Sequence, residues 1–201
     1  METYCGGIAL KYLIDGNGVY LGAYDDSAAP AGYIEVDNPP DDAKQIYING
    51  AWVLPLSLCE EKIAFLYKDA MHTLQNGYSQ EEINTFPVKG EAAKAYLAGS
   101  ADDEQKYLLA KIVEVVNGSS PLTLAQISAE VATIDAAGWA KVQAKAESIM
   151  NNKLTFEFYL SKIEQRCSHA KGLLVDDEDN TGVINALTAE LQAVKASIKG
   201  A

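Results

Sequence analysis

The chain has 201 residues, a net charge of −12 and 48% hydrophobic content, enough for one folded domain or a small module joined to a larger one. The charge repels phosphate backbones and anionic headgroups, and lysines and arginines are scattered beside acids without forming a basic patch, so neither nucleic acid nor a membrane surface is an expected partner. No apolar run approaches a membrane span, and Cys5, Cys59 and Cys167 are too far apart, and odd in number, for a disulfide framework or a zinc knuckle.

The first stretch, METYCGGIALKYLI, has no basic n-region, is interrupted by Lys11 and carries Glu2 where myristoylation needs glycine. Neither a leader nor a lipid anchor is expected on it, and the chain is expected to stay in the cytosol where it is made.

Residues 1–54 differ in composition from the rest. They hold six of the eleven tyrosines, seven of the fifteen glycines and half of the prolines, with eight acids against two lysines. IALKYLI and VYLGAY flank Asp15-Gly16-Asn17-Gly18, whose glycines and asparagine supply the positive φ of a tight hairpin. YIEV then meets Asp37-Asn38-Pro39-Pro40-Asp41-Asp42, a loop because proline donates nothing to a strand ladder. KQIYI and AWVL meet at Asn49-Gly50, the pair favoured in type I′ turns. Four or five short strands result, a meander too small to be stable alone.

From residue 55 the period becomes helical. Ser57 with Glu60, Ser79 with Glu82, and Thr123 with Gln126 each fit a capping box. The first helix carries Cys59, Ile63, Leu66, Ala70 and Leu74 on one stripe and stops at Gly77. The second runs from Ser79 towards Gly99, with a kink or break expected at Pro87 and Gly90. The third spans about 102–117 and ends at Gly118, before a Gly118-Ser119-Ser120-Pro121 linker. The fourth runs from Thr123 to about Asn151, and the fifth puts Phe156, Leu160, Ile163 and Cys167 on one face before Gly172.

After an acidic linker, 176-DDEDNTG-182, the last helix repeats Ile184, Leu187, Leu191, Val194 and Ile198 at spacings of 3 and 4, the a/d pattern of a coiled coil. A bundle helix packed on its own domain shows the same stripe, so packing within the chain and self-association through this C-terminal helix both fit. The expected fold class is α+β: a small N-terminal antiparallel β meander followed by a mainly α-helical domain with a C-terminal coiled-coil helix. The segments are 1–54, 55–151 and 152–201.

Catalytic signals are weak. His72 lies near Asp69 at ordinary helical spacing, and Cys167 and His169, two apart on a helix, point in different directions. No nucleophile elbow, Walker loop or dinucleotide fingerprint is present. Asp177-x-Asp179-x-Thr181-Gly182 resembles the start of a calcium loop, but position twelve is Thr188 where a bidentate carboxylate is required, so it reads as a solvated linker with Thr181 helping to start the last helix. Asp15-x-Asn17 reads as a turn. No catalytic residue, cofactor or metal is expected. What remains is aromatic: the rings of the front module are more than a sheet this small can bury, so either most cover one face of the sheet and pack against the first helix, or some anchor a partner, with Tyr20, Tyr24, Tyr47 and Trp52 the candidate partner-binding residues. To these the zipper reading adds Ile184, Leu187, Leu191, Val194 and Ile198.

The line PPDDAKQIYINGAWVL, preceded by YLIDGNGVYLGAY and followed by GYSQEEINTFPVKGEAAKAYLAG, resembles bacteriophage tail proteins, in particular tail-fibre assembly proteins and their small tail-associated relatives. The resemblance covers about residues 8–150. Gly138-Trp139-Ala140-Lys141-Val142-Gln143 matches only the Trp and Lys of the family's terminal helix, and the last fifty residues lie outside the match. The resemblance implies a non-enzymatic protein that binds a tail fibre or another tail protein, either as an assembly chaperone or as a component of the virion such as a fibre-attachment or baseplate adaptor. It places the protein in the host cytoplasm during assembly or in the virion tail.

Overall fold

The computed structural model of the chain describes residues 10–25, 28, 30–116, 122–176 and 178–200. Cys5, the start of the first strand run at Ile8, the linker at 118–121 and Asp177 of the acidic pattern lie outside them. The described residues form an α+β fold of five strands and six helices. In order these are β1 (Leu10–Ile14), β2 (Tyr20–Asp25), β3 (Ile34–Val36), β4 (Ile46–Ile48), β5 (Ala51–Val53), α1 (Leu56–Gln75), α2 (Gln80–Leu97), α3 (Asp103–Ile112), α4 (Leu124–Ala132), α5 (Ala136–Leu173) and α6 (Thr181–Gly200).

By contact the chain divides into two compact units. One comprises Met1–Ala70 and Ile163–Ser197, the other Met71–Lys162 and Ile198–Ala201. This grouping differs from the chain-order segments 1–54, 55–151 and 152–201.

In the first unit the strands make two small antiparallel sheets, in the orders β2-β1-β3 and β4-β5. The β1–β2 turn is held by the Asp15 carboxylate, which accepts from the backbone N–H groups of Asn17 (2.9 Å) and Val19 (2.8 Å). An Asx turn of this kind is what Asp and Asn are selected for. Asn49 (φ 51°) and Gly50 (φ 89°) both adopt the left-handed backbone that a type I′ hairpin demands. Val19 of the first sheet and Ile46 of the second form an isolated bridge.

The helical part of this unit joins the start of α1, the end of α5 and most of α6. Lys195 on α6 donates to the Asp69 carboxylate on α1, and Arg166 on α5 faces Glu190 on α6 at 3.5 Å. Cys59, Ile63, Ile163, Cys167, Leu187 and Leu191 are buried.

The core of the second unit is built from Ala92, Ala93, Leu109, Ala110, Val142, Ala146 and Ile149. Four small alanines let helices approach closely, and larger side chains, Trp139 among them, pack around the cluster. Trp139 stacks on Tyr96 with centroids 5.9 Å apart. A second aromatic group joins Tyr78, Phe86 and Phe156 in mutual edge contacts of 5.2–5.7 Å.

Helix starts follow local chemistry. The boxes at Ser79/Glu82 and Thr123/Gln126 form, as does a third at Asp102/Gln105. The Ser57/Glu60 box does not. Helix α1 starts earlier, with the Pro55 carbonyl accepting from Leu58 and Cys59, which puts Ser57 inside the first turn.

Three other expectations are corrected. Helix α2 runs through Pro87 without a break. The missing N–H and ring clash cost about 3 kcal/mol, and the helix nonetheless continues to Leu97 with Gly90, Ala92 and Ala93 buried. The expected fourth helix is interrupted after Ala132: Thr133 turns its hydroxyl back to the Glu130 carbonyl, and Asp135 caps a new start by accepting from the Gly138 N–H at 2.7 Å. The new helix then continues through Asn151-Asn152, both strong cap residues left unused, to Leu173, merging with the expected fifth into one helix of 38 residues.

Candidate partner-binding surface

The site is a seam in the β module. The Tyr47 N–H donates to the Gly18 carbonyl at 2.9 Å, beside the Val19–Ile46 bridge, so β4 is laid against the first hairpin's turn. Tyr20 enters the seam from the first sheet. Tyr47 and Trp52, direct cross-strand partners on β4 and β5, enter from the second. Trp52 meets Tyr20 edge-on at 5.8 Å and Tyr47 at 5.1 Å, the separation and tilt that ring quadrupoles favour.

Trp52 is oriented by its other end. Its indole N–H donates to the Asn38 carbonyl at 2.9 Å, just before the two prolines. The same loop is anchored farther on: Asp42 accepts from the Lys44 N–H, ion-pairs with Lys62 of α1 at 2.8 Å, and exchanges backbone and side-chain bonds with the buried Gln45. The Lys62 ammonium, and after it the Lys44 N–H, hold the Asp42 carboxyl below its ordinary range. The proline loop is thus tied to both the rings and the first helix.

All three rings remain half-buried. The module also exposes Val19, Leu21, Tyr33 and Ile34, and Leu10 shares the sheet face of Ile34. Aliphatic residues of this kind are missed by a search for surplus aromatics. Their alternation reads as ordinary strand pattern, and the face that Leu10 and Ile34 share also carries the buried Ile14 and Val36. Tyr24 is not part of the ring group. It pairs with Lys11 across the hairpin and lies over Gly22 of its own strand.

Of the two readings of the C-terminal stripe, burial favours packing within the chain. Ile184, Leu187, Leu191 and Val194 are buried within the chain and Ile198 is half-buried. The a/d spacing therefore serves packing inside the protein, and these side chains are not left free for a second copy. Thr181 opens α6, as expected, and Asn180 precedes it, its carbonyl accepting from Ile184. The Asn180 side chain accepts from the Val175 N–H at 3.0 Å and donates to the carbonyls of Val175 (2.7 Å) and Glu178 (3.1 Å). The Asp179 carboxylate takes the Thr181 N–H, as in an Asx turn.

Cys59 and Cys167 are buried, burial pushes both thiols up, and the Cys59 thiol donates to the Leu54 carbonyl. His169 is exposed, and His72 contacts Asn76. Among the described residues no group of three or more His, Cys, Asp or Glu is placed to hold a metal ion, and no helix is long and apolar enough to cross a membrane.

No protein-family model, curated protein or solved structure matches the chain.

Proposed function

We propose that the chain is a non-enzymatic binding protein of a bacteriophage tail, which engages a tail-fibre or other tail protein through the aromatic seam of its β module and assists fibre folding or assembly. The observation that carries the binding reading is the Tyr20–Trp52–Tyr47 group: three rings held in fixed orientation, each still half-exposed, with exposed Val19 and Leu21 on either side of Tyr20. Pre-oriented aromatic rings bury large area at small entropic cost when a partner covers them. The tail context rests on the PPDDAKQIYINGAWVL line and its flanks.

The test is co-expression of the chain with a fibre protein and capture of the pair. Trp52→Ala is expected to cut capture by well over about tenfold, as loss of an interface anchor does, while the free protein keeps its helical circular dichroism. Equal loss of capture and of thermal stability would make Trp52 a core residue and remove the seam as a partner site. Mass spectrometry of purified particles separates two forms of the reading. A released chaperone is absent, and a permanent adaptor is present in fixed ratio to the fibre.

A further inference from the structure

We infer that the groove between α2 and α3 is a second docking site, and that its occupant is a cationic amphipathic helix. The groove has a volume of about 470 Å³, and Pro87, Val88, Ala92 and Leu108 supply its apolar surface. That volume falls within the range of about 300–1,000 Å³ typical of ligand clefts. Val88 is 64% exposed, an isoleucine-like branched residue standing in water on a helix whose next turn, Ala92, is buried.

The charge of the rim selects the occupant. Glu91 of α2 and Glu104 of α3 border the groove and are exposed, and neither has an ion-pair partner among the described residues. Lys106, on the same helix as Glu104, is already paired with Asp103 at 3.5 Å. The remaining polar side chain, Gln105, is committed to the Asp102 N–H in the capping box. Anions thus flank an apolar floor with no cation among the lining residues. A second copy of this chain, with its net charge of −12, would be repelled. A helix with apolar anchors one turn apart and Lys or Arg beside them fills the floor and pairs both carboxylates, the helix-in-groove mode of recognition.

The test uses the full chain and a labelled fifteen-residue helical peptide with two leucines at i and i+4 flanked by arginines, read by fluorescence anisotropy. Controls are the same peptide with glutamates for arginines and with serines for leucines. Both controls are expected to bind at least about tenfold more weakly. The double variant Glu91→Lys, Glu104→Lys, at exposed positions, is expected to reverse the preference between the arginine and glutamate peptides. Amide shift changes on adding the arginine peptide should centre on Val88, Ala92 and Leu108. Absence of binding, a serine peptide that binds as well as the leucine one, an unreversed preference, or shift changes centred elsewhere would each overturn the inference.

Discussion

The Tyr47 N–H donates to the Gly18 carbonyl at 2.9 Å, and the two backbones lie so close that a Cβ on Gly18 would collide with the Tyr47 carbonyl oxygen. Gly18 also has φ +80°, a region that side-chain-bearing residues enter at a cost of about 1–3 kcal/mol. Gly18→Ala should therefore destabilise the protein more than Gly50→Ala, since Gly50 has φ +89° but open space around its Cβ position. Thermal melts of the two variants, with near-ultraviolet circular dichroism reporting the Trp52 rings, check this. Equal losses would mean that the close approach contributes nothing beyond the backbone conformation.

Asn180 is 3% exposed and its amide makes three bonds to the loop it follows. Removing a buried side chain that satisfies backbone groups leaves those groups unpaired, at about 1–3 kcal/mol. Asn180→Ala is expected to lose stability in that range. Asn180→Asp keeps the acceptor for Val175 but loses both donated bonds and places a charge in a buried site, so it should be at least as damaging near neutral pH and partly relieved in acid. Chemical denaturation at two pH values decides this; an Asp variant as stable as the wild type at neutral pH would show that the donated bonds are dispensable.

Leu191 is 2% exposed on the stripe of α6. Leu191→Ala is predicted to cost about 2–5 kcal/mol through lost burial and the cavity left behind. Because the stripe packs inside the chain, the loss should not depend on protein concentration. Melting curves across a hundredfold concentration range test the point, and a loss confined to low concentration would return the stripe to an interface between chains.

Acid should loosen the proline loop. The folded pKa of Asp42 is depressed by Lys62 and by the Lys44 N–H, so its stabilising contribution is present above the ordinary aspartate value of about 3.9 and is lost as pH falls through the lower folded value. The pair is about one-third exposed on each side, which limits the effect to roughly 0.2–1 kcal/mol after solvent screening. Asp42→Asn should lower stability at neutral pH and flatten the decline below about pH 4, measured by denaturation at pH 7 and pH 3. An unchanged acid slope would assign the acid sensitivity to other carboxylates.

Where local chemistry decides, the chain was legible residue by residue. Asn49-Gly50 and the Ser79 and Thr123 boxes are short motifs whose geometry follows from positive φ or from unpaired N–H groups, and each forms as its residues indicate; in Asp15-Gly16-Asn17-Gly18 only Gly18 takes positive φ, and the Asp15 carboxylate holds the turn. The break at Thr133–Asp135 was also written locally, in an Asp three residues before Gly138, but the apolar period across Val131, Ile134 and Val142 masked it.

Sequence alone determined the order and kind of the elements, a β-rich front and a helical remainder, because hydrophobic period and turn chemistry act within a few residues. It also supplied the rings of the candidate site. Tertiary structure decided what those residues face. An a/d spacing is identical whether its partner is the same chain or another, and only the packing of α6 against Asp69 and Glu190's neighbours shows that the stripe is spent internally. Likewise Tyr20, Tyr47 and Trp52 are separated by 26 and 4 residues along the chain, and only the Val19–Ile46 bridge and the Gly18–Tyr47 approach bring them into one surface, since long-range backbone contacts leave no periodic trace in sequence.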